Sequence, residues 1–457
     1  MIVNRRIAIN LLRRSQWNMN AIDESNTNIN QINVLKSTSK RIQLFFCFML
    51  LGLLLAFLYH AALDWMGYSW PWNTFLFNPS DRFNDWYSTV AQAASANPYY
   101  SSNHALATYF PVTYVLLKFS VGYSPVVSIF IYFGITIILL FLAACIARIT
   151  LLQSSDTAFL YTKDVLFLAV STLISYPAIF ALDRGNIDIW IGLLGTIFVL
   201  TQRTRFWIVG LLFPSLAISL KGYPTVLLLL LVCEKQYKRM IFCSLLALTI
   251  SLPTLYFFWD GFDLNLNGFT NNLNSYYRMY MLGSSSLFAS CDPYNASRTV
   301  FYAVAKIWQK FISPDYFVLP IEVYSASILR GYSLLSLSFA IVAAFFVLAT
   351  KEVRWKKVTA LCLVALIFPN VSNDYKLCFL FPGLYLFLTE SEGQKSEKSI
   401  LALFCLLMVP KSYLFMGGKS ISMIINPIII LGLAYKVMEG RENWMQAIQR
   451  VKSKCFM

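Results

Sequence analysis

Apolar runs long enough to enter a bilayer alternate along the chain with short Lys/Arg clusters and with two long stretches rich in aromatic and polar residues. Residues 1–41 are polar and basic, and the apolar run that follows, 42–63, has no small-residue cleavage site. This predicts an uncleaved anchor with the N-terminus on the basic side of the membrane. A first outer loop is expected over about 64–123, followed by a crossing at 125–147 that ends at Arg148. Runs 165–182 and 187–200 read as a hairpin turning outward at Asp183-Arg184-Gly185-Asn186. Between Arg205 and the cluster Lys235, Lys238, Arg239 there are too few apolar residues for two full spans, yet both flanks are basic. Residues 206–220 and 225–232 are therefore expected as two short or re-entrant helices broken at Lys221-Gly222-Tyr223-Pro224, a break tolerated where protein or a wet cavity surrounds it. A second outer loop at about 259–324, with room for short amphipathic helices, precedes runs at 325–350, 358–369, 377–388, 400–409 and 421–435. The expected fold is all-α and polytopic, with about 10–12 transmembrane helices including short or re-entrant ones. Its parts are a cytoplasmic segment 1–41, a membrane domain 42–435 and a cytoplasmic basic tail 436–457.

Composition agrees with that pattern: 58% of the 457 residues are hydrophobic and only 13% charged, a balance that excludes a water-soluble globular chain of this length. The net charge of +15 would suggest nucleic acid in a soluble protein. Here the inner segments hold 25 Lys/Arg and 11 Asp/Glu, and the outer ones 12 and 11. The positive-inside rule accounts for that excess without a nucleic-acid partner, and leaves attraction to anionic headgroups as its consequence. The nine Cys lie mostly inside apolar stretches and form no disulfide framework or CxxC metal site. His60 and His104 are the only histidines, which further limits metal ligation.

Four polar clusters fall on the basic-poor side. Asp81-Arg82-Phe83-Asn84-Asp85-Trp86-Tyr87, with Asn97-Pro98-Tyr99-Tyr100 and Tyr109-Phe110-Pro111 downstream, puts carboxylates among aromatics at a membrane boundary. Such an acid can orient a sugar hydroxyl for general-base attack, or can simply be a solvated partner of Arg82. In Asp183-Arg184-Gly185-Asn186-Ile187-Asp188, Gly permits a turn and Asn caps the next helix. Its Arg184 either pairs with Asp183 or grips a phosphate through its planar fork. Lys221, at a helix break, is a phosphate counter-charge or a snorkelling lysine. Asn373-Asp374-Tyr375-Lys376 reads as a cavity wall or as a polar turn between helices.

Taken in order, these motifs resemble the polytopic glycosyltransferases of the GT-C superfold, and most closely glycosyltransferase family 87, the polyprenyl-phosphate-mannose-dependent mannosyltransferases. The resemblance runs from about residue 83 to 386. It rests on Asp85-Trp86-Tyr87, Asn97-Pro98-Tyr99, Tyr109-Phe110-Pro111, Gly185-Asn186-Ile187-Asp188, Lys221-Gly222-Tyr223-Pro224 and Asp374-Tyr375-Lys376. It implies a polyprenyl-phosphate sugar donor, a glycan or glycolipid acceptor, and catalysis on the outer face of a bacterial inner membrane. The matching base is Asp85 rather than Asp81. Lys221 and Arg184 are implied at the donor phosphate, with Asp81, Tyr87, Asn186, Asp188, Tyr223, Asp374, Tyr375 and Lys376 around the substrate cavity. Asp183-Arg184 departs from what relatives often show, so Arg184 is the weakest transfer. No cofactor is required by this chemistry, and a divalent ion bridging acid and phosphate is compatible with it.

Two other classes share some of these features. A polysaccharide polymerase would use Arg278 and Arg298 in the second outer loop to hold undecaprenyl pyrophosphate. A transporter would carry paired broken half-repeats, and the break at Lys221 has no counterpart in the other half of the chain.

Overall fold

The computed structural model describes residues 37–457 apart from 71, 77–78, 102–105, 153–157, 259, 278–320, 370–372, 392–394, 412–414, 417–418, 421, 441–443, 450–452 and 454–457. The chain is an all-α polytopic membrane protein. Its only strands among the described residues are the two-residue pair Phe415–Met416 and Lys419–Ser420. In chain order the helices are α1 (Ser37–Trp65), α2 (Asn84–Ala94), α3 (Pro111–Leu117), α4 (Pro125–Leu152), α5 (Ala158–Leu173), α6 (Tyr176–Arg184) and α7 (Asp188–Thr201). Then come α8 (Trp207–Gly210), α9 (Leu212–Leu220), α10 (Leu228–Cys233), α11 (Tyr237–Ser251) and α12 (Gly261–Tyr277). The last five are α13 (Ile321–Ala349), α14 (Arg354–Ile367), α15 (Phe381–Glu390), α16 (Lys395–Met408) and α17 (Ser422–Met438). Proline stands in the opening turn of α3, α4, α6 and α15, where its missing N–H has no intrahelical partner to lose.

Four helical stretches of the described residues are long and apolar enough to cross a bilayer: Ser37–Trp65, Pro125–Thr150, Tyr237–Tyr256 and Arg330–Ala349. A fifth span is bent by 54° between Lys163–Leu173 and Tyr176–Arg184. Other apolar segments fold as helices of 10–17 residues, among them Asp188–Thr201, Trp207–Leu220, Tyr223–Cys233 and Ile425–Met438. At 1.5 Å per residue, all of these are shorter than a hydrocarbon core of about 30 Å. The break expected at Lys221 is present: α9 ends at Leu220, Lys221 is extended (φ −147°, ψ 132°), and a 3-10 turn, Tyr223–Leu227, leads into α10.

The short α7 survives because it is wrapped in protein. Every residue of α7 is buried, and it packs against α4, α9, α15 and the 3-10 segment Asp374–Leu380. The long helices instead present large apolar side chains outward, such as Leu54 and Phe57 on α1, Phe130 and Phe141 on α4, and Ile241 and Leu245 on α11. On a soluble surface such patches would be aggregation sites; toward acyl chains they are ordinary.

The Thr201 end of α7 is stapled by one buried guanidinium. Arg354 reaches Glu390 (3.3 Å), Gln202 Oε1 (2.8 Å) and the Val199 carbonyl, with Glu234 at 3.7 Å. Gln202 also donates to Glu234 (2.8 Å), so α7, α10, α14 and α15 are joined at that end. Removing one member of a buried ionic network strands its partners, at a cost of about 3–5 kcal/mol. Arg354→Met is therefore expected to lower the melting temperature of the purified protein sharply. A Tm within a degree of wild type would show that the network contributes no stability.

Candidate functional site

The site forms at the opposite, Asp188 end of α7. Between α6 and α7 the chain turns at Gly185, whose φ is 68° and whose added Cβ would lie 2.5 Å from Trp86 Cβ. Both facts require glycine, and together they let α2 lie directly against the turn. Phe83, just before α2, is itself left-handed (φ 59°), at a cost of about 1–2 kcal/mol, and its N–H donates to the Asp183 carbonyl at 2.7 Å. This pinned entry fixes the first turn of α2 and the Asp85 carboxylate on it.

Asp85 accepts from Arg184 Nη2 on one oxygen and from Asn186 Nδ2 on the other (2.7 Å). Asn186 uses its own Oδ1 to cap α7, accepting the Asp188 N–H at 2.9 Å. Asp188 in turn binds Lys221 Nζ at 2.9 Å and accepts from the Tyr223 hydroxyl at 2.6 Å. The break after α9 thus delivers an ammonium and a phenol to the start of α7. Lys221 also lies over the Tyr109 ring, 4.7 Å from its centroid.

Lys376, in the 3-10 segment before α15, enters from the other side and lies over the Tyr223 ring at 4.4 Å. Its side chain is only 7% exposed, and among the described residues its ammonium has no hydrogen bond or ion pair. Burial pushes it down to about 8; Asp188 pulls it back up and Lys221 pushes it further down. Burial also pushes the Tyr109 and Tyr375 phenols well above their ordinary range, so both stay protonated donors.

These groups enclose a cavity of about 350 Å³ lined by Tyr109, Asp188, Lys221, Tyr223, Tyr375 and Lys376, with Phe269 and Tyr276 of α12 on one wall. Lys221 and Lys376 against Asp188 leave it one net positive charge. Asp85 does not line the cavity itself; it lies across Asn186 from Asp188, and its charge acts on Tyr109 and Tyr375. A second cavity of about 420 Å³, with a predominantly apolar lining that includes Ile218 of α9, Leu228 of α10, Leu248 of α11 and Leu266 of α12, shares Phe110, Gly222 and Phe269 with the first.

The expected residues divide accordingly. Asp85, Asn186, Asp188, Lys221, Tyr223, Tyr375 and Lys376 converge. Arg184, expected at a phosphate, donates to Asp85, and Asp183 pairs with Arg82 (3.3 Å). Tyr87 turns toward the Pro125 carbonyl (3.4 Å) and the Phe83 ring, away from the cavity wall. Asp374 is buried behind the wall, accepting from Tyr176 (3.0 Å) and Asn426 (2.9 Å), and so anchors the segment that carries Tyr375 and Lys376. Asp81 closes a 3-10 turn, Pro79–Asp81, and its side chain lies outside the described residues, as do Arg278 and Arg298. Sequence reasoning missed Phe269 and Tyr276. Their signal was available: Leu266, Phe269, Leu273 and Tyr276 share one helical face.

The fold and site together define a polytopic helical membrane protein with a charged, aromatic-walled cavity beside an apolar one. Residues 107–372, more than half of the chain, match glycosyltransferase family 87, and the chain belongs to that family. No curated protein and no solved structure matches it. Arg184, Asn186, Asp188, Lys221 and Tyr223 fall inside the matched region, whereas Asp85 precedes it and Lys376 follows it. The fold joins all three groups.

Proposed function

We propose that this membrane glycosyltransferase moves a hexose, with mannose the first candidate, from a polyprenyl-phosphate donor to a glycan or glycolipid acceptor. The observation that carries the reading is the contiguity of the two cavities: a polar one with net positive charge and an apolar one, meeting at Phe110, Gly222 and Phe269. A lipid phosphate sugar has those two parts joined by one phosphodiester. That phosphodiester carries one negative charge, which matches the single net positive charge of the cavity; a pyrophosphate would bring two. In this reading the cavity end faces the outside of a bacterial inner membrane and the Arg354 end the cytoplasm, with both termini inside, which the positive-inside bias of the basic residues supports.

In the mechanism, Asp85 takes the proton of an acceptor hydroxyl as that oxygen attacks the anomeric carbon. The bond from the anomeric carbon to the phosphate oxygen breaks in the same displacement, and the sugar inverts. Arg184 and Asn186 hold the carboxylate in place and leave one lone pair of each oxygen for the acceptor. The leaving polyprenyl phosphate gains a negative charge, which Lys221 and Lys376 stabilise; charge stabilisation of this kind is often the largest catalytic term. The two carboxylates already receive cationic or hydrogen-bonding partners from the protein on all four oxygens, so a divalent ion is not needed to organise them.

The test is release of labelled sugar from a panel of polyprenyl monophosphate sugars by purified protein in lipid, with and without EDTA. Turnover of a monophosphate donor at a rate that EDTA leaves within a factor of about two is expected. Turnover confined to pyrophosphate-linked oligosaccharides would overturn the reading, and a rate abolished by EDTA would overturn its metal-free form.

A further inference from the structure

Helix α12 forms a wall of both cavities, with Leu266 and Phe269 at the apolar one and Phe269, Leu273 and Tyr276 at the polar one. Among the described side chains of this helix, Asn265 and Gly268 are the buried positions. Besides ring contacts of Phe262 with Tyr256 and of Phe269 with Phe110, it is held by hydrogen bonds from two sides. Asn265 Nδ2 donates to the Leu255 carbonyl (2.7 Å) of the segment just before the helix, and a larger set of bonds comes from the turn Asn97-Pro98-Tyr99-Tyr100.

Asn97 Nδ2 donates to Asp260 Oδ2 and to Asn265 Oδ1, both at 2.6 Å, while its Oδ1 accepts the Tyr99 N–H at 2.9 Å. Asn272 donates to the Tyr99 carbonyl (3.0 Å), and the Tyr100 hydroxyl donates to the Leu264 carbonyl (3.0 Å). Between these bonds Gly268 lies flat on the two tyrosines: a Cβ there would come within 2.8 Å of Tyr99 Cβ and 3.0 Å of the Tyr100 ring. The Tyr99 and Phe269 rings then meet edge to face with centroids 5.8 Å apart, so the turn touches the same side chain that divides the two cavities. Gly261, at the start of α12, has φ 79° and open space around it. The helix is tied at its start to the Leu255 and Phe258 carbonyls through Asn265 and seated along one face on the Asn97–Tyr100 turn.

We infer that the Asn97–Tyr100 turn is the seat of a strap helix, and that Asn97 is a positioning residue for donor binding that acts through α12. The inference rests on the reading of the polar cavity as the donor site. Asn97 touches no part of that cavity. It sets where Phe269, Leu273 and Tyr276 stand, and hence how closely the wall approaches a bound donor.

The experiment pairs amide hydrogen exchange of peptides from 261–277 with steady-state kinetics on a polyprenyl-phosphate sugar. Asn97→Ala is expected to speed exchange in α12 while leaving α7 peptides unchanged. With several hydrogen bonds lost from one seat, it is expected to raise the donor KM about tenfold, with kcat within a factor of about two. Gly268→Ala should act in the same direction without altering Asn97. Asn97→Asp, facing Asp260, should be worse than Asn97→Ala, and Asp260→Asn should partly restore it by returning a donor to the pair. Unchanged exchange in α12, or a loss confined to kcat, would overturn the inference. If the wild type turns over no lipid monophosphate sugar, the reading of the cavity fails, and the exchange measurement still decides whether the turn seats the helix.

Discussion

Asp85→Asn is expected to lower transfer by about two to four orders of magnitude, the usual worth of a positioned general base. Expression, membrane insertion and donor affinity should be nearly unchanged. The reasons are geometric. An Asn at 85 keeps an oxygen for Arg184 and loses only the acceptor facing Asn186 Nδ2, a group that cannot turn around because its oxygen caps α7 at Asp188. The structural cost is thus about one hydrogen bond, near 1 kcal/mol. Donor phosphate is assigned to the lysines on the far side of Asn186, so its affinity does not pass through Asp85. Arg184→Gln should be milder than Asp85→Asn in turnover, because it frees the base without removing it. A purified Asp85→Asn protein that transfers sugar at the wild-type rate would remove Asp85 as the base. One that no longer binds donor would show that the carboxylate holds the cavity together instead.

Much of this site could be read in the chain, and what could not be read has a physical cause. The broken segment at Lys221 follows from counting apolar residues between two basic flanks, a constraint that the bilayer imposes from outside. The number of complete spans does not follow in the same way. Hydropathy registers that α7 is apolar, but its shortness is tolerated only because α4, α9, α15 and the 374–380 segment surround it, and those contacts are set by tertiary packing. Arg184 shows the same limit at the scale of one side chain. Its sequence neighbour Asp183 is the obvious partner, yet Arg184 also reaches a carboxylate 99 positions away, Asp85, because Gly185 brings α2 onto the turn. Asp374 and Lys376 are two residues apart in one motif, but on a 3-10 helix they point differently: one carboxylate goes into a buried cluster and one ammonium into the cavity.

Lys376 gives the prediction on which structure and function pull in opposite directions. A buried ammonium that has, among the described residues, a ring face and the field of Asp188 but no ion pair is a liability to the fold, and replacing such a charge by a well-packed apolar side chain can stabilise by about 1–4 kcal/mol. Lys376→Met is therefore expected to raise Tm. The same change removes a charge-assisted contact to the donor phosphate, worth about 1.5–3 kcal/mol, so donor affinity should fall by about 10–150-fold. Lys221→Met should behave differently, because it leaves Asp188, 2% exposed, without its cation: both Tm and donor affinity should drop. The pH dependence gives a second handle. With Lys376 at about 8 in the free enzyme, its charge is present at pH 7 and lost as pH rises through 8, so donor affinity should decline between pH 7 and 9. Bound phosphate favours the charged form, which moves the same transition to higher pH in the donor complex and leaves kcat flatter than kcat/KM over that interval. Stability has the reverse slope. The unfolded lysine, near 10.5, holds its proton where the folded one has released it, so the contribution of Lys376 to stability rises from pH 8 to 10.5. In Lys376→Met both slopes should lose this component. If the variant is less stable than wild type and keeps the wild-type pH profile of donor KM, Lys376 is a structural residue and the phosphate rests on Lys221 alone.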